Sequence, residues 1–292
     1  MLTGIVFALL ALLSWAFGDF LIQRTVRAVG DLRTLLWIDG IGAIVLLPFV
    51  VRDFPASFYN SAGLTLATAA GIVIFFTALM EFEALRRGKI SVIEPVMSSE
   101  MLVTVALAVT LWGEKLSPLH LLLVGTTFVG ILLAVTIHHT HLHFHRRIFE
   151  QGVALAAGGA ITMGVVNFLV GASSQSVSPL FVIWWSNVVT LALAVGYLAF
   201  RGGFGALAAD LRSHGKLILG VSVVDNAAWV FYALAASLIP IAIATTVSES
   251  YVALAVLLGI FVNHEKVRWH QGVGIAIAIG SVLLLSVFTG GN

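Results

Sequence analysis

Ten apolar stretches of about 20 residues, separated by short polar breaks, run along the whole chain and decide most of what it can fold into. A stretch of that length crosses the roughly 30 Å hydrocarbon core of a bilayer as an α-helix, whereas a barrel strand needs about half as many residues and alternates polar with apolar side chains. No such alternation is present. With 60% hydrophobic and 10% charged residues, against about 25% charged in an ordinary soluble domain, the chain cannot cover a water-facing surface. The expected fold class is all-α, a polytopic membrane protein with helices near 3–23, 32–51, 61–84, 91–112, 118–137, 149–172, 179–200, 215–236, 240–262 and 269–289. The first run has no basic leader or small-residue cleavage site and continues through Phe20, so a retained helix is expected in place of a signal peptide. A net charge of +1 speaks against nucleic acid as a partner, and the absence of Cys excludes a disulfide framework and thiol metal sites.

Lys and Arg are sorted among the breaks. Odd-numbered loops hold Arg24, Arg27, Arg33, Arg86, Arg87, Lys89, Arg146, Arg147, Arg201, Arg212, Lys216, Lys266 and Arg268, and even-numbered loops hold only Arg52 and Lys115, out of 15 in all. The positive-inside rule then puts the odd loops in the cytoplasm and both termini outside. At the midpoint, 138–148 forms a His-rich linker between a first unit, 1–137, and a second, 149–292. His138, His139, His141, His143 and His145 could hold a transition metal, although the run contains no carboxylate or thiol and also reads as a solvated connection.

The two units repeat. Residues 113–135 match 264–286, Phe82-Glu83-Ala84-Leu85 matches Phe231-Tyr232-Ala233-Leu234, and at a spacing of 148 Asp19-Phe20-Leu21 falls on Asn167-Phe168-Leu169, with Trp37 and Asp39 on Trp185 and Asn187. Five helices per unit is an odd number, so the second copy must enter the membrane from the opposite side. Inverted repeats of this kind build two interchangeable gates around one midplane site in many secondary transporters.

Gly4 to Phe20 with Ser14-Trp15-Ala16-Phe17-Gly18, the Glu94-Pro95 pair opening the fourth helix, and the Gly-Glu-Lys turn at 113–115 before a Gly-spaced helix are the residues that carry a family likeness. In their order and duplication they make the chain resemble the drug/metabolite transporter superfamily, in particular its EamA-type ten-helix members. The second copy has Thr245-Thr246 where the first has Glu94-Pro95, and His264-Glu265-Lys266 at the turn. The resemblance implies a cavity lined by eight of the ten helices, and cytoplasmic termini, the reverse of what the basic residues imply.

Charge at bilayer depth costs about 2.5–3.5 kcal/mol per Asp on insertion scales, so each buried acid is a candidate site residue. Asp19, Asp39, Glu81, Glu94, Glu100, Asp225 and Glu249 fall inside the expected spans, where basic residues such as Arg24, Arg33 and Lys216 stand only at the ends. Acids so placed must be protonated, paired with a mobile cation, or wet. Asn167 and Asn187 take the repeat-equivalent places of Asp19 and Asp39. Trp15 stands four residues before Asp19 and Trp229 four after Asp225, so each pair shares a helix face, and Tyr251 follows Glu249 by two. Carboxylates beside indoles suit an ammonium group, with a cation–π contribution of about 0.5–2 kcal/mol. Tyr232 and Trp185 complete the candidate set. Structural alternatives remain for each: an interhelical hydrogen bond for the aspartates, helix capping for Glu94 beside Pro95, and packing or lipid contact for the tryptophans. Glu114 and Glu265, beside Lys at the membrane edges, read as turn and anchor residues. Helices five and ten carry no acid and show small residues every four positions, Thr126, Gly130 and Ala134 in one and Gly272, Ala276 and Gly280 in the other, the pattern of close packing.

The expected function is secondary active transport of a small metabolite bearing an amine, such as an amino acid, an amine or a quaternary ammonium compound, by alternating access. Proton-coupled efflux across the cell membrane is the expected setting, with a monomer or homodimer as the working unit and no cofactor. Two alternatives are kept: a divalent metal or drug exporter using the His linker, and an intramembrane enzyme. The latter would need a nucleophile–base pair or a ligand cluster such as HExxH, and no expected helix carries a deep His.

Overall fold

The computed structural model describes residues 1–87, 96–135, 151–254 and 269–290. The ten longest helices among the described residues are, in chain order, α1 Leu2–Val29, α2 Asp31–Val50, α3 Ser61–Arg87, α4 Glu100–Thr110, α5 Pro118–Val135, α6 Gln151–Ser174, α7 Pro179–Arg201, α8 Leu207–Leu238, α9 Ile241–Glu249 and α10 Trp269–Gly290. Short helical turns, Val51–Asp53 and Phe54–Tyr59, follow α2. Among the described residues, seven helices are long and apolar enough to cross a membrane, and α4, α5 and the α9 region (Ile241–Leu254) are apolar but shorter. The chain is an all-α polytopic membrane protein. Ile44, Phe49, Phe200 and Val287 stand outward at 66–89% exposure, which in a chain of this composition is lipid contact.

Two helices outrun the expected spans. Helix α1 continues six residues past 23 because Arg24 and Arg27 remain helical near its C-terminus, where cations favour the helix dipole, and the Arg24 guanidinium lies 4.3 Å from the Phe20 ring centre. It stops at Gly30, whose φ of +90° permits the reversal into α2. Helix α8 starts at Leu207, but His214 breaks the helical geometry (φ −129°, ψ 18°), so the spanning part begins where the apolar run does.

Helix α1 packs on α8, α3 on α6, α2 on both α7 and α8, α7 on α3, α4 on both α6 and α9, α1 on α9, and α5 on α10. Hydroxyl and indole donors fasten α7 to α3: Ser186 to the Ala67 carbonyl at 3.2 Å, Thr190 to Gly71 at 2.9 Å, and Trp185 to the Thr68 hydroxyl at 2.8 Å.

The α5–α10 seam corrects one sequence expectation. Gly130 lies so close to α10 that a Cβ there would stand 2.6 Å from the Ala278 backbone nitrogen, and a Cβ on Gly274 would overlap the Ala134 backbone. Thr126 and Ser281 exchange a hydroxyl hydrogen bond at 2.9 Å on the same seam. On α10 the contact therefore runs through Gly274, Ala278 and Ser281, while Gly272 and Gly280 have no neighbour within 4 Å and Ala276 is exposed. Helix α10 has small residues in two registers offset by two, and only the packing chooses between them.

Candidate functional site

The helix arrangement leaves a cavity of about 90 Å³, space for several water molecules. Its wall includes Trp15 and Asp19 of α1, Asp39 of α2, Glu81 of α3, Glu100 of α4, Asn167 of α6, Asn187 of α7, Asp225 and Trp229 of α8, and Glu249 with Tyr251 at the end of α9. Helices α5 and α10 contribute nothing to it. Six carboxyl groups thus share one cavity, and no Lys or Arg among the described residues lines it. At about 4 Å two like charges repel by about 4 kcal/mol at an effective dielectric of about 20, so this many anions do not stand together uncompensated.

The acids are held by different partners. The Tyr251 hydroxyl hydrogen-bonds Asp19, and the Asn167 amide donates to Glu249 at 3.3 Å. Glu100 and Glu249 line the same cavity from α4 and α9, which pack on each other. On the α2 side, Asn226 donates to the Ile38 carbonyl at 3.1 Å and to the Ser222 carbonyl at 2.9 Å, while accepting from the Asn187 amide at 2.6 Å. That network ties α2, α7 and α8 together one residue from Asp39. Sequence reading missed Asn226; its signal was a second polar residue beside Asp225 in an apolar run. Two buried oxygens on the cavity wall, Asp39 Oδ2 and Asn167 Oδ1, accept no hydrogen bond, although their residues are only 4% and 1% exposed. Groups buried in that way are rare unless something outside the chain meets them.

Trp15 is the centre of the aromatic wall. Its ring lies edge-on to Trp229 at 5.4 Å, 5.7 Å from Tyr232 and 6.3 Å from Tyr251. Tyr232 itself is fully buried behind the wall, where its hydroxyl donates to the Asn167 carbonyl at 2.8 Å and pairs with Thr245 at 2.8 Å. It positions α6 and does not face the cavity. Trp185 also lies outside, in an aromatic cluster with Phe58 at 5.3 Å and Phe181 at 6.2 Å. Glu94 and His138, His139, His141, His143 and His145 lie outside the described residues.

Glu114 does more than anchor a turn. Its carboxyl accepts the backbone N–H groups of Ile241 at 2.5 Å and Ala242 at 3.1 Å, capping the first turn of α9 from the α4–α5 connection. Burial pushes this carboxyl above its ordinary range, and the two backbone donors hold part of the rise back. Around the same end of the bundle, the Gln175 amide donates to the Ala236 carbonyl at 3.0 Å and accepts from the Trp112 indole at 2.7 Å, Asn60 donates to the Ser176 carbonyl at 2.9 Å, and Ser173 to Gly63 at 2.8 Å. This end is sealed by hydrogen bonds among α3, α4, α6, α8 and α9. At the other end Arg33 holds both oxygens of Asp210 at 2.9 Å, and Arg86 lies 3.7 Å from Asp31.

The family model described as EamA-like transporter family matches residues 2–136 and 150–287, nearly the whole chain. The chain belongs to this family. A solved structure described as "Crystal structure of protein" superposes on this EamA-like transporter with a TM-score of 0.71 at 15% identity, covering 98% of each chain, and so shares its fold. The comparison with curated proteins gives no match.

Proposed function

We propose that this EamA-like transporter is a secondary active carrier of a small amine-bearing metabolite, working by alternating access in the cell membrane. The single observation that carries the reading is the cavity in which Asp19, Asp39, Glu81, Glu100, Asp225 and Glu249 meet Trp15 and Trp229, with no Lys or Arg of the described residues in its lining. An ammonium group satisfies both parts of that wall, by ion pairing with the acids and by lying on the indole faces. Asp39 Oδ2 and Asn167 Oδ1 are acceptors ready for its N–H groups.

In this reading ten membrane spans form two inverted halves, 1–137 and 149–292, joined by 138–148. The packing supports it. Exchanging α1–α5 with α6–α10 turns the α1–α8 contact into α6–α3, α3–α7 into α8–α2 and α4–α6 into α9–α1, and maps α2–α7, α4–α9 and α5–α10 onto themselves. The family match in two stretches of similar length supports the same division. A fold that can trade the conformations of its halves can close one end while opening the other.

Counterflow in proteoliposomes tests the reading, with labelled amines, amino acids and quaternary ammonium compounds as probes. The wild type should exchange at least one of these without chemical change, and Asp19→Asn, Asp39→Asn and Asp225→Asn should insert normally and lose exchange. Undiminished exchange in all three variants would show that the acids are structural.

A further inference from the structure

The two unpartnered acceptors on the cavity wall, Asp39 Oδ2 and Asn167 Oδ1, belong to different parts of the hydrogen-bond structure. Asp39 follows Ile38, whose carbonyl receives the Asn226 amide in the network that ties α2, α7 and α8. Asn167 donates to Glu249 and offers its backbone carbonyl to the Tyr232 hydroxyl, in a network of α6, α8 and α9. Helix α8 enters both networks and so sets the distance between them. Asn226 and Tyr232 are six residues apart on it, about 9 Å along the axis at about 1.5 Å per residue. Trp229 lies midway between them and edge-on to Trp15 of α1, so an indole pair separates the two polar ends. The other buried side-chain atoms without a partner among the described residues lie off this wall.

A nitrogen that donates to two acceptors at about 2.9 Å each bridges no more than about 6 Å. One ammonium therefore serves one end and leaves the other acceptor orphaned. A quaternary ammonium brings charge without an N–H for either. A carboxylate on the cargo would add another anion to a wall with six carboxyls and no Lys or Arg of the described residues in its lining. Both ends are met by a cation with an N–H-bearing nitrogen at each terminus and an apolar chain between. The chain would lie along Trp15 and Trp229, whose rings accept methylenes on their faces and attract a nearby ammonium. Each end also has acids to balance a charge: Asp39 and Asp225 at one, and Glu249 beside Asn167 at the other.

We infer that the cargo is a linear diamine held as a dication, with one ammonium at Asp39 beside the Asn187–Asn226 network, the other at Asn167 and Glu249, and the carbon chain across the Trp15–Trp229 pair. The inference rests on the carrier reading above and narrows its amine to this class.

Calorimetric titration of the full chain in detergent tests it, with 1,5-diaminopentane and pentan-1-amine as ligands that share a carbon chain and differ in the second ammonium. The diamine should bind at least about tenfold more tightly, the low end for one further hydrogen bond to a charged group. Across the series from 1,3-diaminopropane to 1,8-diaminooctane, affinity should pass through a maximum, because the two ends stand a fixed distance apart. Asp39→Asn and Asn167→Leu should each bring the diamine-to-monoamine affinity ratio down toward one, a readout that general loss of binding does not mimic. Equal affinity for the two ligands in the unmutated protein, affinity that only rises with chain length, or a ratio unchanged in both variants overturns the diamine. Counterflow of labelled pentan-1-amine or choline in proteoliposomes would then leave the carrier reading standing. Absence of binding by either ligand, together with absence of exchange for every amine, amino acid and quaternary ammonium probe, overturns the carrier reading and the diamine with it.

Discussion

Replacing Glu114 with alanine should loosen one end of the bundle by a calculable amount. The carboxyl satisfies two backbone N–H groups at the start of α9, at 2.5 and 3.1 Å, and among the described residues no other side chain accepts from them. Loss of a helix cap costs about 0.5–2 kcal/mol, and a single hydrogen bond to a charged group contributes about 1.5–3 kcal/mol. Two such bonds in a half-buried turn place the loss near 2 kcal/mol, the equivalent of about a thirtyfold shift in the balance between the sealed end and an opened one. The chain has no cysteine, so a single thiol reports without background. Ser174 is buried at this end and its hydroxyl makes no hydrogen bond, which makes Ser174→Cys a nearly silent probe. In that background, Glu114→Ala should raise the labelling rate by a small water-soluble thiol reagent about thirtyfold, and Glu114→Gln, which keeps one acceptor, by less. A rise below about fivefold, under about 1 kcal/mol, would refute the view that this cap holds the end shut.

Three further outcomes follow from the packing. Gly130→Leu should lower the thermal midpoint of the detergent-solubilised protein by an amount corresponding to about 1–3 kcal/mol or more, because the side chain must enter the α5–α10 seam, whereas Gly272→Ala, in open space, should be neutral or stabilising. Gly42→Ala should be costly by the same measurement, since its Cβ would overlap Asn226 Oδ1 and Asn187 Nδ2 and push the α2–α7–α8 network apart; Gly40→Ala, with its nearest neighbour at 3.6 Å, should not. Tyr232→Phe should destabilise by about 1–3 kcal/mol by leaving the Thr245 hydroxyl and the Asn167 carbonyl without their partner, and an unchanged midpoint would mean that water replaces the phenol.

Most of the fold was legible because lipid enforces a simple code. Apolar runs of spanning length become helices, and acids inside them stand out against the background, which is why Asp19, Asp39, Asp225 and Glu249 could be singled out and do line one cavity. Illegible were the properties that depend on partners distant in sequence. Glu114, beside Lys115, reads as a surface turn until α9, 127 residues on, is seen to place its first N–H groups on it. Tyr232 stands in the candidate set read from the sequence, yet its hydroxyl is spent on Asn167 and Thr245. Trp185 sits over Trp37 in the repeat but faces the Phe58–Phe181 cluster, a choice made by rotation of α7.

Equilibrium binding of choline beside its uncharged carbon isostere, 3,3-dimethylbutan-1-ol, isolates charge from shape and size in the acid cavity. A mobile cation that balances these carboxyls should bind at least about 100-fold more tightly than the isostere, a difference of about 2.7 kcal/mol, and the advantage should fall in Asp19→Asn, Asp39→Asn and Asp225→Asn. Equal affinity for the two compounds, or a preference for choline untouched by all three substitutions, would contradict the account.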